Sequence, residues 1–145
     1  MKTCNFVMSS HINNVRITVD NVLGYYSKLY GNIDDNTLFE LKVILNELLL
    51  NAIRHGNKGD LNKNVAVAAR VIKGFAYLAI KDEGCGCKFD YLFNKHYDSS
   101  CAQTQYELKE TGRGLFIVKS LCNKLKFNKK GNKVTVLKKL SGECI

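Results

Sequence analysis

Glu47 and Asn51 stand one helical turn apart in the most apolar helical segment of the chain. At about 100° per residue, these two side chains share a polar stripe with Glu40 and Arg54, within about 60° of one another. A carboxylate can act as a base, and an amide oxygen is a neutral ligand for a hard metal ion. The same stripe is typical of the exposed edge of an amphipathic helix, so the spacing alone leaves both interpretations open.

A second group of residues, Asp82-x-Gly84-x-Gly86, directly follows a predicted strand. Glycines at alternate positions let backbone N–H groups approach a ligand, because no Cβ stands in the way. A buried Asp at the end of a strand can accept a hydrogen bond, for example from an exocyclic amine. The pattern also occurs in ordinary turns, so by itself it indicates a turn as readily as a ligand site.

A third group, Gly112-Arg113-Gly114, precedes a predicted helix. The unpaired N–H groups and the positive dipole end of such a helix are suited to phosphate oxygens. A flexible loop end is the alternative interpretation. Neither glycine group matches the Walker pattern, and the chain has no Rossmann-type strand–GxGxxG–helix unit.

The elements that position these residues can be predicted from hydrophobic periodicity and capping signals. Ser9 or Ser10 is expected to cap the first helix, and Thr37 with Glu40 forms a capping box that opens the second. The predicted order is a strand at 5–8, a helix ending near Gly31, a helix from Thr37 to about His55, a hairpin at 65–71 and 76–80, a helix from Leu115 to about Leu125, and a closing hairpin at 126–128 and 134–140.

These elements favour an α+β fold in a single domain spanning residues 1–145, because the helices gather early and the strands late. Residues 88–110 are mostly polar and lack periodicity. A loop this long in a compact domain is usually functional, often a lid over an active site.

Composition is that of an ordinary globular protein, with 46% hydrophobic and 24% charged residues. No apolar run approaches the ~18 residues needed to cross a bilayer, and the N-terminus has no signal-peptide core. We therefore expect a cytoplasmic protein with no membrane contact, whose six cysteines are reduced thiols. A zinc site built from Cys85, Cys87 and either Cys101 or His96 is the alternative for part of that set.

The net charge of +9 suits an anionic partner, which could be a nucleic acid, nucleotide phosphates or an acidic protein surface. Lysines are most concentrated between Lys124 and Lys139. Because Phe127 is the only aromatic residue among them, a stacking surface for single-stranded nucleic acid is weakly supported.

The order of these motifs resembles that of the N, G1 and G2 boxes of the GHKL ATPases. The motifs are E-x-x-x-N-A-x-x-H-G, then D-x-G-x-G after a strand, and, beyond a long loop, G-x-G-L. The resemblance covers nearly the whole chain, and within the superfamily the sequence is most similar to the anti-sigma factor serine kinases. It implies the Bergerat two-layer sandwich, in which about three helices cover one face of a mixed, mostly antiparallel sheet, with a lid at about 88–111.

The resemblance also implies roles for individual residues. Glu47 corresponds to the general base, and Asn51 to the ligand of Mg²⁺. Asp82 corresponds to the residue that binds the adenine amino group, and the remaining nucleotide-binding positions are His55, Gly84, Gly86, Gly112, Arg113, Gly114 and Leu115.

Two positions depart from the family pattern. Gly131 is followed by Asn132, where the family commonly has a threonine that helps to bind adenine. Glu110 stands where the family kinases often have a basic residue, next to Lys109. An acid near the γ-phosphate disfavours the charge that builds up in phosphoryl transfer, so this position argues against kinase activity more than against ATP binding.

The function implied by the resemblance is that of an ATP-dependent serine kinase which sequesters a sigma factor and phosphorylates a STAS-type antagonist. ATP or ADP with Mg²⁺ is the implied cofactor, and a homodimer the implied assembly, without direct nucleic-acid contact. The alternatives are a non-catalytic module that uses ATP to shape a protein-binding surface, a histidine-kinase catalytic domain, and a basic nucleic-acid binder. For the histidine kinase, His11 is too isolated to serve as the phosphoacceptor.

Overall fold

The computed structural model describes residues 3–85 and 105–144, with the side chains of 105–112 and 143–144 outside that description. Helices and strands alternate early in the chain, and strands dominate its later part. The elements in chain order are β1 (Cys4–Ser9), α1 (Asn14–Tyr30), β2 (Gly31–Ile33), α2 (Asp35–Asn51), a π-helical turn (Ala52–Gly56), β3 (Asn64–Ile72), β4 (Phe75–Lys81), α3 (Gln105–Leu121), β5 (Lys124–Phe127), β6 (Lys133–Lys139) and β7 (Gly142–Cys144).

Five strands form the main sheet in the order β1-β3-β4-β6-β5, and every neighbouring pair is antiparallel. β2 and β7 form a separate two-stranded sheet. The turn between β3 and β4 places Lys73 at φ 48° and Gly74 at φ 81°, as a tight hairpin requires. The predicted α+β sandwich, its strand at the N-terminus and its two hairpins are confirmed.

The core lies between the helices and one face of the sheet. Tyr26 of α1 is fully buried, and its hydroxyl donates a hydrogen bond to the carbonyl of Tyr77 on β4. Leu45 and Leu49 of α2 and Val118 of α3 are also fully buried. α2 therefore sits inside the helical layer, which explains why apolar residues cover so much of its surface.

The predicted start of α2 is wrong by one turn. Asp34 is the N-cap, and its carboxylate accepts a hydrogen bond from the backbone N–H of Thr37 at 2.8 Å. Thr37 is thus the third helical residue rather than the cap. Glu40 is then free of a capping role, and its carboxylate pairs with the buried ammonium of Lys138 on β6.

The predicted cap of α1 is also wrong. The helix begins at Asn14, with Asn13 as N-cap and no side-chain capping bond. Ser10 instead donates to the carbonyl of Lys63 at 2.6 Å, and Ser9 accepts a hydrogen bond from the side chain of Asn14 at 2.8 Å. Contact with the distant 57–64 loop therefore outweighs the local capping preference of Ser10.

The third helix begins well before its predicted start. α3 spans Gln105–Leu121, so Gly112 and Gly114 lie inside the helix instead of ahead of it. Glycine inside a helix costs about 1 kcal/mol relative to alanine, which is why the sequence favoured a loop. Residues 105–111 of the predicted lid are consequently helical, and residues 88–104 lie outside the described part of the chain.

The described residues bear on two further expectations. No helix among them is both long and apolar enough to span a bilayer. Cys4, Cys85 and Cys122 are free thiols, as expected. The described residues contain no cluster of three potential metal-ligating side chains, and the other members of the zinc alternative, Cys87, His96 and Cys101, lie outside them.

Candidate active site

A pocket opens where the end of α2 meets the ends of β4 and β6. Its polar lining comes from three segments that are far apart in sequence, and its apolar wall comes from α2, α3 and the sheet. The lining residues are Leu48, Asn51, Ala52, His55, Gly56, Ile80, Asp82, Leu115, Phe127, Gly131, Asn132, Lys133 and Val134. An apolar pocket with a few convergent polar groups is the usual form of a small-molecule site.

Asp82 sits at the end of β4 and is held by two glycines. A Cβ at Gly56 would overlap the Asp82 carboxylate, and a Cβ at Gly84 would overlap the backbone carbonyl of Gly56. The N–H of Gly84 donates to Asp82 Oδ1 at 2.8 Å. Only glycine fits at both positions, so the end of the π-helical turn and the loop after β4 interlock around this carboxylate.

Burial determines the protonation behaviour of Asp82, which is only 8% exposed. Desolvation raises the pKa of its carboxyl above the ordinary value, while the hydrogen bond from Gly84 and the nearby charges of Lys130 and Lys63 lower it. The desolvation effect is the largest of these. A buried carboxylate with one oxygen engaged by Gly84 is a strong acceptor for an amino group that enters the pocket.

Asn57, which sequence reasoning missed, ties four segments together beside this carboxylate. The residue is 1% exposed. Its Nδ2 group donates to Ser10 Oγ at 2.8 Å and to the carbonyl of Asn64 at 3.0 Å, and its Oδ1 accepts from the N–H of Glu83 at 2.7 Å. Asn57 therefore anchors the loop that carries Asp82 and Gly84. A fully satisfied buried amide gives no signal in a single sequence, because its partners lie up to 47 residues away.

Asn132 occupies the far side of the pocket and is also buried. Its Nδ2 group donates to the carbonyl of Asp82 at 3.3 Å, and its Oδ1 accepts from Asn128 Nδ2 at 2.7 Å. Asn128 Oδ1 in turn accepts three backbone N–H groups, including that of Gly131 at 2.8 Å. The asparagine that replaces the family's usual threonine is thus part of a hydrogen-bonded turn that joins β6 to Asp82.

Glu47, Asn51 and Gly114 meet where α2 packs against α3. A Cβ at Gly114 would overlap Glu47 Oε2 and lie 3.8 Å from Asn51 Nδ2. Asn51 Nδ2 is buried, and no described residue offers it a hydrogen bond. An unpaired buried amide is costly and calls for an explanation. Glu47 and Asn51 of the polar stripe on α2 therefore lie at the site. The other two residues of the stripe do not, because Arg54 is exposed and Glu40 pairs with Lys138.

These residues fit a hard cation. Asn51 Nδ2 has no hydrogen-bond partner among the described residues, Glu47 is one turn away, and Gly114 lies directly against the Glu47 carboxylate because it has no side chain. Amide and carboxylate oxygens are the donors that Mg²⁺ prefers. Rotating the amide would present its oxygen in place of the unpaired nitrogen.

The structure places most of the predicted site residues together. Asn51, His55, Asp82 and Leu115 line one pocket, and Gly84 is bonded to Asp82. Glu47 and Gly114 lie beside Asn51. Gly86 lies outside the described residues.

The helix start predicted after Gly112-Arg113-Gly114 is wrong, because the three residues lie inside α3 and not ahead of its N-terminus. Their phosphate-binding role stays a prediction. Arg113 is exposed and does not line the pocket. The structure assigns Gly114 a different use, which is to let α3 approach Glu47.

The sandwich and its pocket at the end of α2 define a nucleotide-binding α+β domain. The model of the histidine kinase-like ATPase domain matches residues 12–138. The chain belongs to this family, as the ordered motifs predicted.

Comparison with curated proteins narrows the similarity further. The chain is 27% identical over 136 residues to serine-protein kinase RsbW of Bacillus subtilis (strain 168), which covers 93% of this chain and 82% of that protein. It is 30% identical over 120 residues to anti-sigma F factor of Shouchella clausii (strain KSM-K16), covering 82% and 75%. It is also 28% identical over 131 residues to anti-sigma F factor of Geobacillus sp. (strain WCH70), which covers 90% of this chain and 83% of that protein.

Proposed function

We propose that this chain is an ATP-binding anti-sigma factor that sequesters a sigma factor and phosphorylates a serine on a STAS-type antagonist. The observation that carries the proposal is the meeting of Glu47, Asn51 and Gly114 at the edge of the pocket. The names of its relatives, a serine-protein kinase and anti-sigma factors, support the same function.

In this proposal the base end of the nucleotide lies in the pocket against Asp82. The carboxylate accepts a hydrogen bond from the adenine amino group, and Gly56 and Gly84 let the chain pack closely around that carboxylate because they have no side chains. Leu48, Ile80 and Phe127 supply apolar surface for the base. The raised pKa of Asp82 makes this recognition sensitive to acid.

Asn51 and Glu47 would act at the phosphate end. Asn51 would hold Mg²⁺ through its amide oxygen, and the ion would neutralise charge on the phosphates. Glu47 would take the proton from the attacking serine hydroxyl. The new bond joins the serine oxygen to the γ-phosphorus, the bond between that phosphorus and the bridging oxygen breaks, and ADP leaves.

The kinase proposal is tested with labelled ATP and a purified antagonist of the STAS type. Wild type should transfer label to the serine, whereas Glu47→Gln should lose about 100-fold or more in rate, since general base catalysis is typically worth that much. Nucleotide binding by Glu47→Gln should stay within about twofold of wild type, because the amide keeps the shape of the side chain. Asp35→Asn, an exposed carboxylate at the start of the same helix, is the matched control and should transfer at the wild-type rate.

A second candidate function is that of a non-catalytic regulator in which ATP only shapes a protein-binding surface. It is favoured by Glu110 in the sequence and by the continuity of α3 through Gly112 and Gly114, which closes the expected phosphate site. ATP binding without transfer above background, in the presence of the antagonist, would select this function over the kinase.

A further inference from the structure

The sheet face that points away from the helices carries positive charge alone. β1, β3, β4, β5 and β6 contain no Asp or Glu. Along β6, Val134, Val136 and Lys138 are buried toward the helices, so the alternate residues project to the opposite face. Residues directly opposite one another in neighbouring antiparallel strands share a face. The register thereby defines a cationic face whose charged residues are Arg70, Lys81, Lys124, Lys126, Lys133 and Lys139.

The charges on this cationic face are not compensated within the described part of the chain. Lys81 stands directly opposite Lys133, and Lys126 is diagonal to Lys133 across β5 and β6. Like charges in opposite positions destabilise a sheet. None of the six cations forms an ion pair with a described carboxylate, whereas Lys138 on the other face is paired with Glu40. A negatively charged partner on this face would relieve that repulsion.

Three adjacent rows of side chains cross the strands in the middle of the cationic face, and a further row, Ile72–Phe75–Lys139, lies beyond them. The middle row, Ala68–Ala79–Thr135, consists of short side chains and ends at Lys126 on the edge strand. One flanking row contains Lys81 and Lys133, and the other runs from Arg70 through Tyr77 and Leu137 to Lys124. Rows two residues apart are separated by about 7 Å, so the flanking rows lie about 13 Å apart. That spacing accommodates one α-helix, whose diameter is about 10 Å.

Arg70 and Tyr77 give the cationic face a preformed contact point. The guanidinium carbon of Arg70 lies 4.6 Å from the centroid of the Tyr77 ring. Arg70 Nε is buried and has no hydrogen-bond partner among the described residues. Arginine and tyrosine are enriched among the residues that dominate protein–protein binding energy, and a guanidinium held flat on a ring is ready to bind a carboxylate.

We propose that the cationic face binds an acidic amphipathic helix of a partner protein. The apolar stripe of that helix lies along the middle row, and its Asp and Glu side chains meet the lysines and Arg70 on either side. A second copy of this chain is disfavoured, because it would bring two cationic faces together. Base stacking by a single-stranded nucleic acid is disfavoured because Arg70 already covers the Tyr77 ring, and duplex DNA is an outcome that the test distinguishes.

The test uses a synthetic 18-residue helical peptide with a leucine stripe flanked by glutamates, and a version with lysines in place of the glutamates. Wild type should bind the acidic peptide and not the basic one. Lys124→Glu/Lys126→Glu should weaken that binding at least about tenfold, since both charges of the edge strand are reversed. Arg70→Gln should weaken it by a similar factor, because it removes the arginine contact.

The matched control is Lys28→Glu/Lys42→Glu, which makes the same change in net charge with two exposed lysines on the helices. This variant should bind the acidic peptide within about twofold of wild type, because exposed charges more than a Debye length away are screened. Equal weakening by both double variants would mean that net charge alone drives binding, and it would overturn the proposal. The proposal would also be overturned if wild type bound a duplex DNA more tightly than the acidic peptide and Lys124→Glu/Lys126→Glu lost that DNA binding. A change in the oligomeric mass of this variant would overturn it as well.

This proposal is independent of the kinase mechanism. Lys124, Lys126 and Arg70 do not line the nucleotide pocket, so Mg·ATP should bind to their variants as it does to wild type. Retained ATP binding also shows that each variant is folded. Loss of peptide binding with retained ATP binding therefore concerns the cationic face alone, whereas failure of wild type to bind ATP would concern the proposed function alone.

Discussion

Gly114 of α3 lies directly against the carboxylate of Glu47 on α2, with no room for even one methyl group between them. The contact joins a helix that the sequence predicted to begin after Gly114 to the residue proposed as the base. A Cβ placed at Gly114 would also lie 3.8 Å from the amide nitrogen of Asn51, which has no hydrogen-bond partner among the described residues. The site therefore depends on how closely two helices pack as well as on which side chains they carry.

Gly114→Ala should destabilise the protein by about 1–3 kcal/mol, because the added methyl group forces α3 or Glu47 to move. In an exposed helix the same change would stabilise by about 1 kcal/mol. Gly24 offers the matched control, since it lies in α1 with nothing within 4 Å of a Cβ, and Gly24→Ala should stabilise. Urea unfolding of the two variants measures the difference, and equal stabilisation by both would contradict the close contact at Gly114.

Asn51→Ala should weaken Mg·ATP binding by at least about tenfold, since it removes the proposed oxygen ligand. The unliganded protein should lose little stability, because the amide nitrogen has no hydrogen-bond partner among the described residues. Calorimetric titration with Mg·ATP and with ATP in the presence of a chelator separates the metal from the nucleotide. An affinity for Mg·ATP equal to that of wild type would remove Asn51 from the proposed metal site.

Asn57→Ala should destabilise the protein by about 3 kcal/mol or more, because it leaves several buried partners without hydrogen bonds. ATP affinity should fall as well, since Glu83 and Gly84 lose the anchor that holds their loop. Asn62→Ala, an exposed asparagine in the same loop, is the control and should stay within about 0.5 kcal/mol of wild type. A small effect at Asn57 would show that the four segments are held by other contacts.

The pH dependence of the protein should reflect Asp82. Because burial raises the pKa of this carboxyl, the folded protein binds a proton in a pH range where the unfolded chain has released it. The contribution of Asp82 to stability is therefore largest below the ordinary pKa of aspartate and is lost as pH rises through the raised value. The free energy of unfolding of Asp82→Asn should accordingly increase relative to that of wild type as pH rises toward neutrality.

Nucleotide binding should change with pH in the opposite direction. Recognition of the adenine amino group uses the ionised carboxylate, so ATP affinity should fall as pH drops through the raised pKa of Asp82. Titrations from neutral pH down to about pH 4, near the ordinary aspartate pKa, would measure this. Asp82→Asn should bind ATP weakly at every pH, and a wild-type profile that stays flat would contradict the assignment.

Much of the fold could be predicted because its signals are local. Alternation at 65–71 and 76–80 predicted the β3–β4 hairpin, and the helical period predicted α1 up to its end at Gly31. The errors fall at element ends. Ser10 bonds to distant Lys63 instead of capping α1, and Gly112 lies inside a longer helix than predicted. At α2 the error was the choice between two local caps, since Asp34 caps the helix in place of Thr37.

The sequence by itself determined that Glu47 and Asn51 share one side of a helix and that Asp82 follows a strand, because both depend on the periods of a helix and a strand. Only the tertiary structure decided that Gly114 closes on Glu47, that Asn57 holds the Asp82 loop, and that six cations share one sheet face. Those relationships join residues that are distant along the chain. They follow from helix packing and strand register, which are determined by the whole core rather than by any one segment.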